Sequence, residues 1–362
     1  MKDKIISRVR EFKRTELEEA FDLIQVSAGE HLLKKDWIAK QNWSIFDNPV
    51  KEAAVPEGHI VERSNKLIGF IGCSCRLFKL RDSFLVAVSF QNQVVHPEHR
   101  GIEGVRFTKK CIEYFKGYVL IGTAFNKVSS IVWERFGARS VVDTDLTFNG
   151  IISAQNYINN ITMSRFPNLL KYANRLGFLS YFSRLFLKIF KKTELKVFVN
   201  IYEIEYPYQL NLNKKDKIDN LCKKYSTLYE IGIYRNYEYL CWRYLKHPLY
   251  KYHIFALKKE RNLIGIGIVK VVDTSRTVQV CELIYEPDLF EIEKYMFFAA
   301  MSTGKKNGGA VISSKIINYK FKEVFKELKL DVHKRDYYSY MIVAKEKNLG
   351  RVLFTYGDFK DN

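Results

Sequence analysis

No run of 18 uncharged apolar residues occurs in this chain, so no membrane-spanning helix is expected. Its start, Met1-Lys2-Asp3-Lys4, is charged and lacks the apolar core of a secretion signal. Cysteine is scarce: the six, at 73, 75, 111, 222, 241 and 281, show no zinc-like pairing. Cys73 and Cys75 fall on one face of a predicted strand, too close to bridge, so buried reduced thiols are expected and no metal site. These absences together predict a cytoplasmic protein. Acid is also in short supply, with 40 Asp and Glu against 59 Lys and Arg. The resulting charge of +19 calls for an anionic partner: a nucleotide-like cofactor, nucleic acid or an anionic lipid surface.

What is present is a core. At 47% hydrophobic and 15% aromatic over 362 residues, the chain can fill two domains, and its Tyr and Phe content favours sheet. A strand is predicted over 5–12. Thr15-Glu16-Leu17-Glu18 reads as a capping box opening a helix to about residue 29. A less regular aromatic stretch with Trp37, Trp43 and Phe46 precedes strands near 59–64, 67–79 and 83–95. Then comes the most informative segment. A β-rich run ends at Val95, Pro97 breaks it, and the turn Arg100-Gly101-Ile102-Glu103-Gly104 opens an amphipathic helix to about Lys116. Another strand, Tyr118-Val119-Leu120-Ile121-Gly122, follows. Such a turn can hold a pyrophosphate on the free N–H groups of a helix start.

Val95, Pro97, Arg100 and Gly101 resemble the V-x-P-x-x-R-G-x-G-x-G/A fingerprint of the GCN5-related N-acetyltransferase (GNAT) superfamily. Glu103 and Val105 stand at its later glycine positions, with Gly104 between them. Asn126, Ser129 and Gly137 fit the family's second element, N-x-x-A/S-x-x-x-Y-x-x-x-G-F, whose tyrosine is Trp133 here. The resemblance covers roughly residues 60–140. It implies an α/β protein with mixed sheets, acetyl-coenzyme A or another acyl-coenzyme A as cofactor, and acyl transfer to an amine. It assigns cofactor contacts to Val94, Val95, Arg100, Gly101, Ile102, Gly104, Val105, Arg106, Asn126 and Ser129. The oxyanion donor would be the N–H of Gln93 or Val94, and His96 or Glu62 the base. His96 and His99 read first as surface loop histidines beside the helix start and only second as titrating groups of the site. Trp133 cannot act as the family's acid, and Glu103 would repel a phosphate unless Arg100 and Arg106 offset it.

From about Lys196 the pattern restarts, with strands at 197–206, 252–258, 263–272, 277–285, 310–314, 337–344 and 352–356. Helices are predicted near 214–224, 236–245, 288–304 and 319–328. Two tandem GNAT-like domains are therefore expected, 1–164 and 196–362. The second lacks a cofactor loop, because Glu286-Pro287-Asp288 replaces the R-G turn. Trp242-Arg243-Tyr244-Leu245-Lys246-His247-Pro248 and Thr355-Tyr356-Gly357-Asp358 resemble motifs of double-domain bacterial members linked to surface polysaccharide. That resemblance implies an amino-sugar acceptor, with Trp242, Arg243 and Asp358 binding it. Between the domains, 165–195 is basic, and 176–192 forms either a helix lying on anionic membrane or a strut packed between domains. Nucleic acid is not expected as a partner. An aminoacyl-tRNA-dependent transferase of the Fem type and an inactive GNAT-fold binding protein remain open as alternatives.

Overall fold

The computed structural model describes residues 7–141, 143–157, 202–315, 319–334, 338–342 and 351–353. The basic connector 165–195 and the 355–358 motif with Asp358 lie outside the described residues.

Strand β1 (Arg8–Glu11) leads through a 3-10 turn into α1 (Leu17–Ala28) and α2 (Lys34–Gln41). The expected Thr15–Glu18 capping box is not what starts α1. Glu16 accepts the Lys13 N–H at 2.7 Å instead, because the 3-10 turn begins the coil earlier. The aromatic stretch is ordered too: α2 runs into a π-helical turn, Asn42–Phe46, that buries Trp43. Next come β2 (Gly58–Arg63), β3 (Lys66–Leu80), β4 (Ser83–Val95), α3 (Ile102–Tyr114), β5 (Val119–Phe125), α4 (Lys127–Arg135), β6 (Arg139–Ser140) and β7 (Leu146–Ile151).

The second half runs in a similar order, with a strand added between its first two helices. It runs β8 (Glu203–Glu205), α5 (Lys215–Tyr225), β9 (Ile231–Ile233), α6 (Tyr237–Leu240), β10 (His253–Lys259), β11 (Asn262–Val272), β12 (Thr277–Tyr285) and α7 (Ile292–Lys306). β13 (Val311–Ser314), α8 (Tyr319–Glu327), β14 (Asp331–Lys334), β15 (Tyr338–Ile342) and β16 (Val352–Leu353) complete it.

Two mixed sheets result, and they trade strands. The first, of nine strands, has the order β1-β2-β3-β4-β5-β15-β6, with β9 paired to the end of β3 and β16 to β9; the second has the order β14-β7-β13-β12-β11-β10-β8. β7, from the first half, lies between β13 and β14 of the second sheet, while β15, from the second half, lies between β5 and β6 of the first. Each sheet therefore needs a strand from the other half to close its ladder.

A second reciprocal contact joins the halves. After α6 comes another π-helical turn, Cys241–Leu245, carrying Trp242. Trp43 and Trp242 stack with centroids 4.8 Å apart at 16°. Each indole N–H donates to the other tryptophan's carbonyl, at 2.9 and 3.0 Å. Arg243 lies over the Trp43 ring at 5.1 Å and Arg76 over the Trp242 ring at 4.7 Å, so guanidinium stacking sandwiches the pair. Both turns end before a proline: Asn48 accepts the Val50 N–H, and His247 Nδ1 accepts those of Leu249 and Tyr250.

Five of the cysteines are buried and Cys241 is half-buried, all as free thiols. Burial raises the thiol pKa of Cys73, Cys111 and Cys222, which makes them inert core residues. Among the described residues no helix is long and apolar enough to cross a membrane.

Candidate functional site

The site is built around an irregularity in β4. Phe70 of β3 pairs with Val94, but Gly72 pairs with Gln91, so β4 carries one extra residue here. Asn92 absorbs it with φ of 51°, a left-handed conformation that asparagine tolerates better than most residues. β4 runs parallel to β5 only from Ala87↔Val119 to Phe90↔Gly122. Beyond that the two strands carry no mutual pairing, and a cleft of about 570 Å³ opens over this end.

Its floor is Phe90, Asn92, Gln93, Val94, Thr123 and Phe125. Asn126 and Ser129 from the start of α4 form one side, and the end of α1 with the following loop, through His31 and Leu32, forms the other. Lys40 of α2 lines it and is 6% exposed. Tyr250 is the residue the second half contributes to this lining.

Alternation along the bulged strand separates two roles. The Gln93 side chain turns toward α3 and α4. Its amide donates to Thr108, and its oxygen accepts the Trp133 indole N–H at 3.3 Å. What Gln93 offers the cleft is thus its backbone. Trp133, standing where the resembling family has its acid tyrosine, is 1% exposed and acts as a brace for the bulge. Asn126 caps α4 by accepting the Ser129 N–H at 2.9 Å, which leaves its amide donor free of that duty.

The P-x-x-R-G turn follows directly. His96 N–H donates to Ile68 O, and Gly101 begins α3 with φ of 84°. A Cβ there would meet nothing within 4 Å, so space lies open in front of the helix start. The first N–H groups of α3, from Gly101 to Gly104, head this space, as at any helix N-terminus. Exposed Arg100 donates to Ser27 O and, at 3.4 Å, to Val95 O, strapping the turn to the end of α1. Ile102 and Val105 are exposed on the first turns of α3. Glu103 pairs with Arg106 at 3.8 Å, which offsets its charge at this helix start.

The other sequence candidates fall elsewhere. Glu62 is held by Arg10, whose hydrogen bond lowers its pKa; it is not part of the cleft lining and is a weakened base. His96 is also outside the lining, with a buried Nδ1 that has no partner among the described residues. His96, Glu98 and His99 present ligand atoms within 4.8 Å of one another, the one such group among the described residues. Arg63 lies 3.4 Å from His99 Nδ1 and sets a positive charge against any cation there. Trp242 and Arg243 are buried between the halves, two turns of chain before Tyr250, rather than in the cleft. Asn92, His31, Lys40 and Tyr250 were not singled out from the sequence. The W-x5-P repeat, Trp43 to Pro49 and Trp242 to Pro248, was the signal that could have led to Tyr250.

The mixed sheets, with a fourth strand parting from the fifth above a glycine turn and helix, are consistent with a GNAT-like fold. No protein-family profile and no curated protein matches the chain. Solved structures do. A GCN5-related N-acetyltransferase from Kribbella flavida is similar at TM-score 0.58 and 9% identity, over 93% of this chain and 70% of that one. One from Anabaena variabilis gives 0.57 and 9%, over 93% and 72%. N-myristoyltransferase of Saccharomyces cerevisiae, with bound myristoyl-CoA, gives 0.56 and 11%, over 94% and 80%. At these identities the likeness is one of fold.

Proposed function

We propose that this chain is an acyl-coenzyme-A-dependent N-acyltransferase with one acyl-donor site, in its first half. The observation that carries the reading is the cleft at the β4 bulge, with the open Gly101 turn of α3 next to it in the chain. Acyl-coenzyme A supplies an activated thioester carbonyl when bound. The N–H groups of Gly101 to Gly104 would hold its pyrophosphate and Arg100 would add a cation. Asn126 and Ser129 would flank the pantetheine arm, and the backbone of Gln93 and Val94 would face the carbonyl oxygen. Trp133, committed to Gln93, offers no proton and keeps the bulge in shape instead.

The acceptor in this reading is an amine entering from the side of His31, Lys40 and Tyr250. The polar groups there suit the amino sugar suggested by the sequence motifs. Calorimetry tests the donor half of the reading: micromolar binding of acetyl-coenzyme A is expected, weakened by about 1–3 kcal/mol in Arg100→Ala, the cost of a charge-assisted hydrogen bond. Unchanged affinity in the folded variant would remove Arg100 from the site.

A further inference from the structure

We propose that the side-chain oxygen of Asn92 receives an N–H of the acceptor amine and so sets where the nucleophile stands. This rests on the N-acyltransferase reading and assigns the acceptor side of that site. Asn92 Nδ2 donates to Gln41 Oε1 at 2.9 Å. Its Oδ1 is buried and has no hydrogen-bond partner among the described residues. A buried amide oxygen left without a donor is costly, and such an atom in a cleft wall marks the place for a ligand's donor. An amide oxygen only accepts, so it selects an N–H or O–H and disfavours phosphate, carboxylate and carbonyl groups. An amine is the group in this reaction that brings such a donor.

The geometry agrees. Asn92 lines the cleft and is bonded to α2, whereas Gln93 turns toward α3 and α4. The bulge thus directs neighbouring residues to opposite faces, one toward the acceptor side and one away from it.

The second half supplies an independent observation. Matching Trp43 to Trp242 places Gln41 opposite Leu240 in the repeat. The last residues paired with the following parallel strand, Phe90 and Val280, and the helix N-caps Gly101 and Glu291 both place Asn92 opposite Glu282. Leu240 is fully buried within the core, and the Glu282 carboxylate is met by Arg235 and by the Tyr244 hydroxyl. Where the frame is filled, the oxygen at this position is thus supplied with donors. The Asn92 oxygen, without such a donor among the described residues, stands in the half that carries the glycine turn.

Asn92→Gly tests this, because glycine accepts the positive φ and removes only the amide. Asn92→Asp keeps an oxygen acceptor, and Gln41 can turn its own amide to donate. Acetyl transfer from acetyl-coenzyme A to glucosamine and to a lysine-bearing peptide would be followed with all three proteins. Their folding would be checked by thermal denaturation, with Asn92→Ser replacing a glycine variant that does not fold. The expected result is a KM for the better amine raised roughly tenfold in Asn92→Gly, the loss of about one hydrogen bond. Coenzyme A affinity should be retained and KM largely recovered in Asn92→Asp. An unchanged KM in the glycine variant, or a loss confined to coenzyme A affinity, overturns the assignment while leaving the N-acyltransferase reading in place. Acetylation of neither amine by the wild-type chain overturns that reading, and this assignment with it.

Discussion

The two halves bulge at the same place and do opposite things with it. In the first, Asn92 lies at the bulge and lines an open cleft. In the second, β12 carries its extra residue between Val280 and Glu282, and Glu282 occupies the position that Asn92 holds, two residues past the last pair with the parallel neighbour. Glu282 is fully buried, with Arg235 Nε at 3.2 Å and the Tyr244 hydroxyl donating at 2.8 Å. The helix starts differ in the same sense. Each helix has a glutamate two residues after its N-cap, Glu103 paired to Arg106 and Glu293 paired to Lys320, so the difference is the cap itself: an open glycine, Gly101, in α3 and Glu291 in α7. A phosphate would meet an unobstructed start at one and the Glu291 carboxylate at the other. One frame can thus be kept as a site or filled as a core, and the choice lies in a few side chains at the bulge and helix start.

The largest effect expected from disturbing this contrast is in the filled half. Glu282→Leu should cost about 3–5 kcal/mol in urea unfolding, because it strands the buried Arg235 charge. The paired change Glu282→Leu with Arg235→Met should recover most of that, since an apolar filling replaces an ionic one. A double variant as unstable as the single one would mean that the ion pair organises the second half rather than merely filling it.

A smaller effect should separate two histidines near the starts of the corresponding strands, His59 in β2 and His253 in β10. Burial depresses both pKa values below the ordinary 6.5. Above that value both are neutral in folded and unfolded chains, and stability is complete. As pH falls below it the unfolded chain takes up protons that the folded one refuses, so stability declines by up to about 1.4 kcal/mol per pH unit for each histidine. Among the described residues, neither buried ring nitrogen of His59 has a hydrogen-bond partner, while His253 Nδ1 lies 3.0 Å from the Tyr206 hydroxyl. His59→Phe should therefore flatten the decline between about pH 6.5 and 5 more than His253→Phe does. Equal flattening would show that the Tyr206 contact leaves the His253 titration unaltered.

Much of this arrangement was legible in the residues. The strands near 59–64, 67–79 and 83–95 and the helix after Gly101 follow from alternation and from a proline that cannot donate. The absence of a phosphate turn after Tyr285 was readable as charge. The exchange of β7 and β15 was not legible, because strand patterning states which face is buried and not which sheet receives it. The bulge at Asn92 was hidden for a related reason: Gln91-Asn92-Gln93 reads as a regular strand, and only pairing with β3 counts the extra residue. Glu62 looked available as a base because Arg10, far away in sequence, could not be placed beside it.

The central claim is that one half holds the cofactor and the other does not, and its most direct test is the stoichiometry of acetyl-coenzyme A binding by calorimetry. The account predicts one molecule per chain. Binding should be lost in Gly101→Asp, which puts a strained backbone and a negative charge at the open helix start. It should be unchanged in Glu286→Gln, in the turn between β12 and α7 of the second half. Two molecules per chain, or one whose binding survives Gly101→Asp and changes with Glu286→Gln, would contradict it.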